Sequence, residues 1–270
     1  MPVADVNGIE VYYEVHGERD APWLLNIGGS GGDLRLTLPD RSPLNRRFRV
    51  LHYDQRGLGR TSVPDGPYSI EDYADDAAAI VEAMIVPEGG VPCHVLGTSF
   101  GGMVALNLVL RRPDLVGRMA LLVTSPGGDH ASFRLSELSS MDPEVAFPLR
   151  MRLLDRRWDP DAVEPIPGLG AVYDGVAARA RQTPSPEEAP GLARQLAARD
   201  THDVVDRLAS ISVPTFVGCG RFDDQAPMAN SELMARVIPD ATLQVFDAGH
   251  LCMLQDRGVM PAVGDFLAAG

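Results

Sequence analysis

The chain contains no lysine, so all 24 of its basic residues are arginine. That absence excludes Schiff-base chemistry, a phosphate-loop lysine and a Ser–Lys pair, each of which needs a primary amine. Cysteine is scarce as well. Cys93, Cys219 and Cys252 make an odd count without C-x-x-C spacing, which argues against a disulfide framework or a zinc site and fits a reducing cytoplasm. Cys93 and Cys219 fall in apolar runs and read as buried thiols. No run approaches the roughly 18 apolar residues of a membrane span. The start Met1-Pro2-Val3-Ala4-Asp5 has neither the basic nor the apolar part of a signal peptide, so a cytoplasmic protein is expected. Basic surface is also missing: 37 acidic residues give a net charge of −13. Neither nucleic acid nor an anionic membrane is therefore an expected partner. With only two tryptophans and six tyrosines, a broad aromatic platform for sugars is not expected either.

What is present suits one large α/β domain: 270 residues, 45% of them hydrophobic. Val3 to Val6, Asn7-Gly8 and Ile9 to Val15 read as an antiparallel hairpin, since Asn-Gly favours positive φ at both turn positions. Strands are expected over 23–27, 48–53, 91–96, 119–123, 213–217 and 241–246. Helices are expected over 70–84, with Ser69 as N-cap and Asp72 three residues on, over 100–110 and over 259–268. Strands alternating with such helices imply a mostly parallel sheet covered on both faces.

The alternation stops after Ser125-Pro126-Gly127-Gly128. From there to about Leu208 the chain is helical and rich in arginine and proline. Short helices are expected over Met141–Trp158, Leu169–Gln182 and Glu187–Ala198. The insertion is too long for a loop, so residues 129–208 are expected to form a helical cap on a core of 1–128 and 209–270.

In an open parallel sheet, ligands sit beyond the carboxyl ends of the strands. Ser99 lies there, in Gly97-Thr98-Ser99-Phe100-Gly101, between a strand and a helix. The glycines make room for a sharp turn that lifts the hydroxyl clear of the sheet, and the helix start supplies amides for an anion. A serine hydroxyl needs a base, and the base needs an orienting acid. Of six histidines, His16, His52, His94, His130 and His202 fall where structural or surface roles are expected. His250 follows a strand directly, at the edge that carries Ser99. The acid comes from Asp223-Asp224, also after a strand. Asp223 is favoured, with Asp224 as its solvated or capping neighbour.

The order Ser99…Asp223…His250, each after a strand, resembles the α/β-hydrolase superfamily over essentially the whole chain. Asp54-Gln55-Arg56-Gly57-Leu58-Gly59-Arg60-Thr61-Ser62 resembles the family's D-x-R-G-x-G-x-S turn. Gly220-Arg221-Phe222-Asp223 with Pro227 resembles its acid loop, and Gly249-His250 its histidine loop. The pattern is most similar to capped esterases, enol-lactonases and C–C bond hydrolases. The resemblance implies Ser99 as nucleophile, His250 as base and Asp223 as orienting acid. It also implies an oxyanion hole from the amides of Gly29 and Phe100, with Ser30 as the alternative to Gly29. Where the family usually has His-Gly after the third strand, this chain has Ile27-Gly28, so a loop-fixing side chain is missing.

A small to medium, largely apolar ester or lactone is the expected substrate, and no cofactor or metal is expected. Pocket residues are sought at Ser30, Met103, Ser125, Phe147, Trp158 and Leu251, with Tyr173 as a further lining candidate from the cap. C–C bond hydrolysis, perhydrolysis or cyanohydrin cleavage could use the same three residues. A ligand sensor on this fold would keep the pocket without turnover.

Overall fold

Asn7 and Gly8 take φ values of 49° and 76°, which is what the two-residue turn of the first hairpin requires. They join β1 (Val3–Val6) to β2 (Ile9–His16), with Val6 opposite Ile9. This computed structural model describes residues 2–131, 133–161, 175 and 185–269. Six further strands follow: β3 (Trp23–Ile27), β4 (Arg49–Tyr53), β5 (Cys93–Thr98), β6 (Val116–Leu122), β7 (Thr215–Gly220) and β8 (Ala241–Phe246). They form one eight-stranded sheet in the order β1-β2-β4-β3-β5-β6-β7-β8. The β1–β2 and β2–β4 pairs are antiparallel and all the others parallel. This is the α/β-hydrolase fold expected from the sequence.

The helices are α1 (Leu34–Thr37), α2 (Ile70–Met84), α3 (Phe100–Arg111), α4 (Leu135–Ser140), α5 (Pro143–Leu154), α6 (Ala189–Asp200), α7 (Met228–Val237), α8 (Cys252–Gln255) and α9 (Val259–Ala268). Adjacent strand residues point to opposite faces, so the sheet has two apolar layers. Leu25, Ile27 and Val95 pack with Ile80 of α2 and Val104 of α3. Leu24, Val50 and Leu96 pack with Val259, Val263 and Leu267 of α9. Burial on both faces explains why the inner strands read as unbroken apolar runs. The start of α2 is a capping box: Asp72 N–H donates to Ser69 Oγ at 3.1 Å, and Ser69 N–H donates to Asp72 Oδ2 at 2.8 Å.

The strand boundaries move for identifiable reasons. β5 and β7 begin just after Pro92 and Pro214, which have no N–H for a ladder. β6 begins earlier than its apolar run, at Val116, because Val116 pairs with Cys93 beside the sheet's rim. Between β6 and β7, α5 starts with Pro143 after the N-cap Asp142 and is shorter than the expected 141–158. The expected helix Leu169–Gln182, with Tyr173, lies outside the described residues except for Gly175, which is helical. Leu135, Leu138, Ala146, Leu153 and Leu196 form a buried cluster separate from both sheet layers. All three cysteines are buried free thiols. No helix among the described residues is long and apolar enough to cross a membrane.

Candidate active site

β5 turns into α3 through Ser99, whose φ of 54° and ψ of −116° lie in a region that side chains disfavour. The sequence permits this turn because the residues two positions away on either side, Gly97 and Gly101, have no side chains. A Cβ on Gly97 would stand 2.5 Å from the Gly101 carbonyl oxygen, and one on Gly101 would stand 2.1 Å from that of Ile27. The strained residue is held from both sides. Its N–H donates to the Leu122 oxygen at 2.8 Å, and Thr124 Oγ1 donates to its carbonyl at 2.6 Å.

The loops after β7 and β8 bring Asp223 and His250 to this turn. His250 Nε2 lies 3.0 Å from Ser99 Oγ, and His250 Nδ1 lies 2.8 Å from Asp223 Oδ2. The other carboxylate oxygen of Asp223 accepts the N–H groups of Gln225 and Ala226, at 2.8 and 2.7 Å. Asp223 is 1% exposed, so these three bonds replace the water its charge has lost. They fix the tautomer too: with Nδ1–H directed at Asp223, the Nε2 lone pair faces the serine. Asp224 points elsewhere and is half-buried, 3.3 Å from Arg156.

Main-chain hydrogen bonds tie the end of α5 to this constellation. His250 N–H donates to the Leu154 oxygen at 2.6 Å, and Gln225 N–H also reaches the Leu153 oxygen at 2.8 Å. Below His250, Gln255 accepts from Gly249 N–H and donates to the buried Asp155 at 3.0 Å.

Gly29 lies against the serine, since a Cβ on it would stand 3.5 Å from Ser99 Cβ. Phe100 is the first residue of α3, so its N–H has no acceptor within the helix. The Ser30 hydroxyl is buried without a hydrogen-bond partner among the described residues. The loop after β3, which lacks the histidine, is held by two glutamines that sequence reasoning passed over. Gln55 Nε2 donates to the Gly28 oxygen at 2.7 Å, and Gly31 N–H donates to Gln195 Oε1, from α6, at 2.8 Å. The turn that carries Gln55 is itself rigid. Asp54 accepts the N–H groups of Leu34 and Arg60 at 2.7 and 3.0 Å, while burial raises its carboxyl above the usual range.

The remaining pocket candidates divide. Met103, one turn into α3, and Ser125, just past β6, line a small cleft with Arg134, Arg199 and Asp200. The Ser125 hydroxyl is committed within its own turn, donating to the His130 oxygen at 2.7 Å and accepting from Gly127 N–H at 3.1 Å. Phe147 and Trp158 meet edge to face, with ring centroids 6.1 Å apart. Leu251 follows the histidine and is half-buried. A larger open hollow sits at the opposite end of the sheet, around Trp23, Arg49 and His94, and shares no residue with this constellation.

Other titratable groups nearby are silenced by burial. Desolvation lowers His202 and His52 to about 4 and pushes the Cys252 thiol up to about 12, so this cysteine stays protonated near neutral pH. A third residue that sequence reasoning missed is Gln225. Its Nε2 lies 2.7 Å from His250 Nε2. Its only signal in the chain is a polar side chain between Asp223 and Pro227.

Known proteins share this arrangement of the chain. A relative from Variovorax paradoxus, named "Putative carbamate hydrolase RutD", is 30% identical over 96% of both chains. The enol-lactonase from Burkholderia xenovorans LB400 superposes with a TM-score of 0.80 at 28% identity, covering 98% of this chain and 99% of its own. Est816, described as an N-acyl homoserine lactone degrading enzyme, superposes with a TM-score of 0.76 at 26% identity, covering 97% and 98%. The model of the alpha/beta hydrolase family matches residues 15–262, and the chain belongs to that family.

Proposed function

We propose that this chain is a serine hydrolase that cleaves a small to medium, largely apolar carboxylic ester or enol-lactone through an acyl-enzyme on Ser99. The observation that carries this reading is the continuous relay from Ser99 Oγ to His250 to Asp223, at 3.0 and 2.8 Å. In it, Ser99 attacks the acyl carbon as His250 Nε2 takes its proton. Asp223 holds the ring and stabilises the imidazolium. The amides of Gly29 and Phe100 receive the oxyanion, and His250 returns the proton to the leaving oxygen. Water then resolves the acyl-enzyme with His250 again as base.

Residues 129–208 act as the cap over this centre, with Met103, Ser125 and Leu251 toward the acyl group and Phe147 and Trp158 on the cap side. Similarity to an enol-lactonase and to a lactone-degrading enzyme supports a cyclic or linear ester. Similarity to a protein named for carbamate hydrolysis favours a second reading. A carbamate carbonyl could be attacked by the same serine.

The test compares wild type with Ser99→Ala on 4-nitrophenyl butyrate, an enol-lactone and a simple carbamate, alongside labelling by a fluorophosphonate. Wild type is expected to turn over at least the ester and to be labelled, and the variant to do neither. Equal hydrolysis by both proteins overturns the nucleophile assignment. Turnover of the carbamate alone transfers the function to the second reading.

A further inference from the structure

Two polar atoms crowd one nitrogen. His250 Nε2 has Ser99 Oγ at 3.0 Å and Gln225 Nε2 at 2.7 Å. With Nδ1–H directed at Asp223, Nε2 has a single lone pair to offer. The serine hydroxyl and the glutamine amide are therefore competing donors for the same site. The glutamine is not there by accident of a loose loop. Its N–H is shared between Asp223 Oδ1 and the Leu153 oxygen, at 2.8 Å each, and the residue is 7% exposed. The backbone is pinned, and only the side-chain torsions are left to move.

The chemistry gives that second position a meaning. Resting on the acyl-enzyme reading above, His250 Nε2 exchanges its proton with two partners in each cycle. One is Ser99 Oγ. The other is first the leaving oxygen and then the hydrolytic water, and each must come within about 3 Å of Nε2. Gln225 Nε2 already stands at such a distance on the side not taken by the serine.

We infer that the Gln225 carboxamide holds the place of the hydrolytic water until an acyl group is on Ser99, and orients that water during deacylation. When the acyl group is on Ser99, the carboxamide swings aside by rotation about its own side chain. The water then has a partner for each hydrogen. One O–H points to His250 Nε2, the other donates to Gln225 Oε1, and the oxygen lone pair faces the acyl carbon. The water oxygen bonds to that carbon as its proton passes to Nε2. The tetrahedral intermediate then collapses, the carbon–Oγ bond breaks, and Oγ recovers the proton from His250. The product leaves as the carboxylic acid. A carboxamide suits this alternation because it has both donors and an acceptor, and neither carries a charge that would compete with Asp223 for the ring. Gln225 is thus a water-positioning residue of the second half-reaction, dispensable for the first.

Stopped-flow hydrolysis of 4-nitrophenyl butyrate by wild type, Gln225→Met and Gln225→Ala tests this. Met keeps the side-chain length without hydrogen bonds, and Ala covers the case in which Met disturbs folding. In either variant, the first turnover and kcat/KM are expected to stay within about threefold of wild type, while kcat and KM fall together by about tenfold or more. The nitrophenolate burst then approaches one per active site, and mass spectrometry finds the butyryl adduct at steady state. Loss of kcat/KM in step with kcat, without a burst, overturns the assignment, as does unchanged kcat. Failure of the underlying reading has a different signature: wild type and Ser99→Ala hydrolyse equally and no adduct forms in any protein.

Discussion

Gln195 Oε1 accepts the Gly31 N–H at 2.8 Å, although the two residues are 164 positions apart in the chain. Gln195 is fully buried in α6, so the loop beside Ser99 is held by a side chain from the segment between β6 and β7. Replacing Gln195 by Leu removes this bond from the loop and loosens it. A drop in kcat of about tenfold is expected, smaller than the 10²–10³ that follows outright loss of an oxyanion donor. Steady-state kinetics of Gln195→Leu, with Gln195→Glu as the variant that retains an acceptor oxygen, would measure it.

Asp223 and Asp224 are adjacent in sequence and unlike in surroundings. Asp223→Asn removes the charge that holds His250, and about a 10⁴-fold loss of kcat is expected. Asp224→Asn breaks only an exposed pair with Arg156 at 3.3 Å, which is expected to change kcat by less than about threefold. Comparable losses in the two variants would mean that the orienting acid is misassigned.

Gly101→Ala is expected to abolish the turn rather than tune it. The added methyl would meet the Ile27 carbonyl oxygen at 2.1 Å, and backbone cannot yield as a side-chain tip can. Loss of soluble protein, or of fluorophosphonate labelling in whatever folds, is the expected outcome.

Acid should weaken the fold through two buried histidines. His52 and His202 are lowered from 6.5 to about 4 by burial. The folded state therefore binds fewer protons than the unfolded chain between those values. Their stabilisation is complete above about pH 6.5 and is lost as the pH falls toward 4, by about 3 kcal/mol for each histidine. Urea unfolding at pH 7.5 and pH 5 should show most of this loss, and His52→Gln should flatten the difference.

The sheet and the relay were legible because each rests on local pattern. Asn7-Gly8, the apolar runs and Ser69 with Asp72 act over a few residues, and the relay residues each follow a strand. The support of the loop after β3 was not legible in the same way. Ile27-Gly28 shows that a histidine is missing, but nothing near it says that Gln55 and Gln195 take over, because those contacts exist only once the chain is folded. Gln225 was hidden for another reason: a polar residue in a loop after an acid looks solvated until its amide is found on His250. The boundaries of β5 and β7 were readable in hindsight from Pro92 and Pro214, whose missing N–H groups outrank the apolar run.

The helices between β6 and β7 are wired into the loops around Ser99, Asp223 and His250 by main-chain and side-chain contacts alike. Leu153 and Leu154 lend carbonyl oxygens to the acid and histidine loops, and Gln195 anchors the loop facing Ser99. For protein engineering this removes a tempting shortcut. Grafting a foreign segment here to change selectivity would sever the wiring unless the ends of α5 and the buried face of α6 travel with the host. Changes to these helices are better made at their exposed positions, with their attachment points left alone.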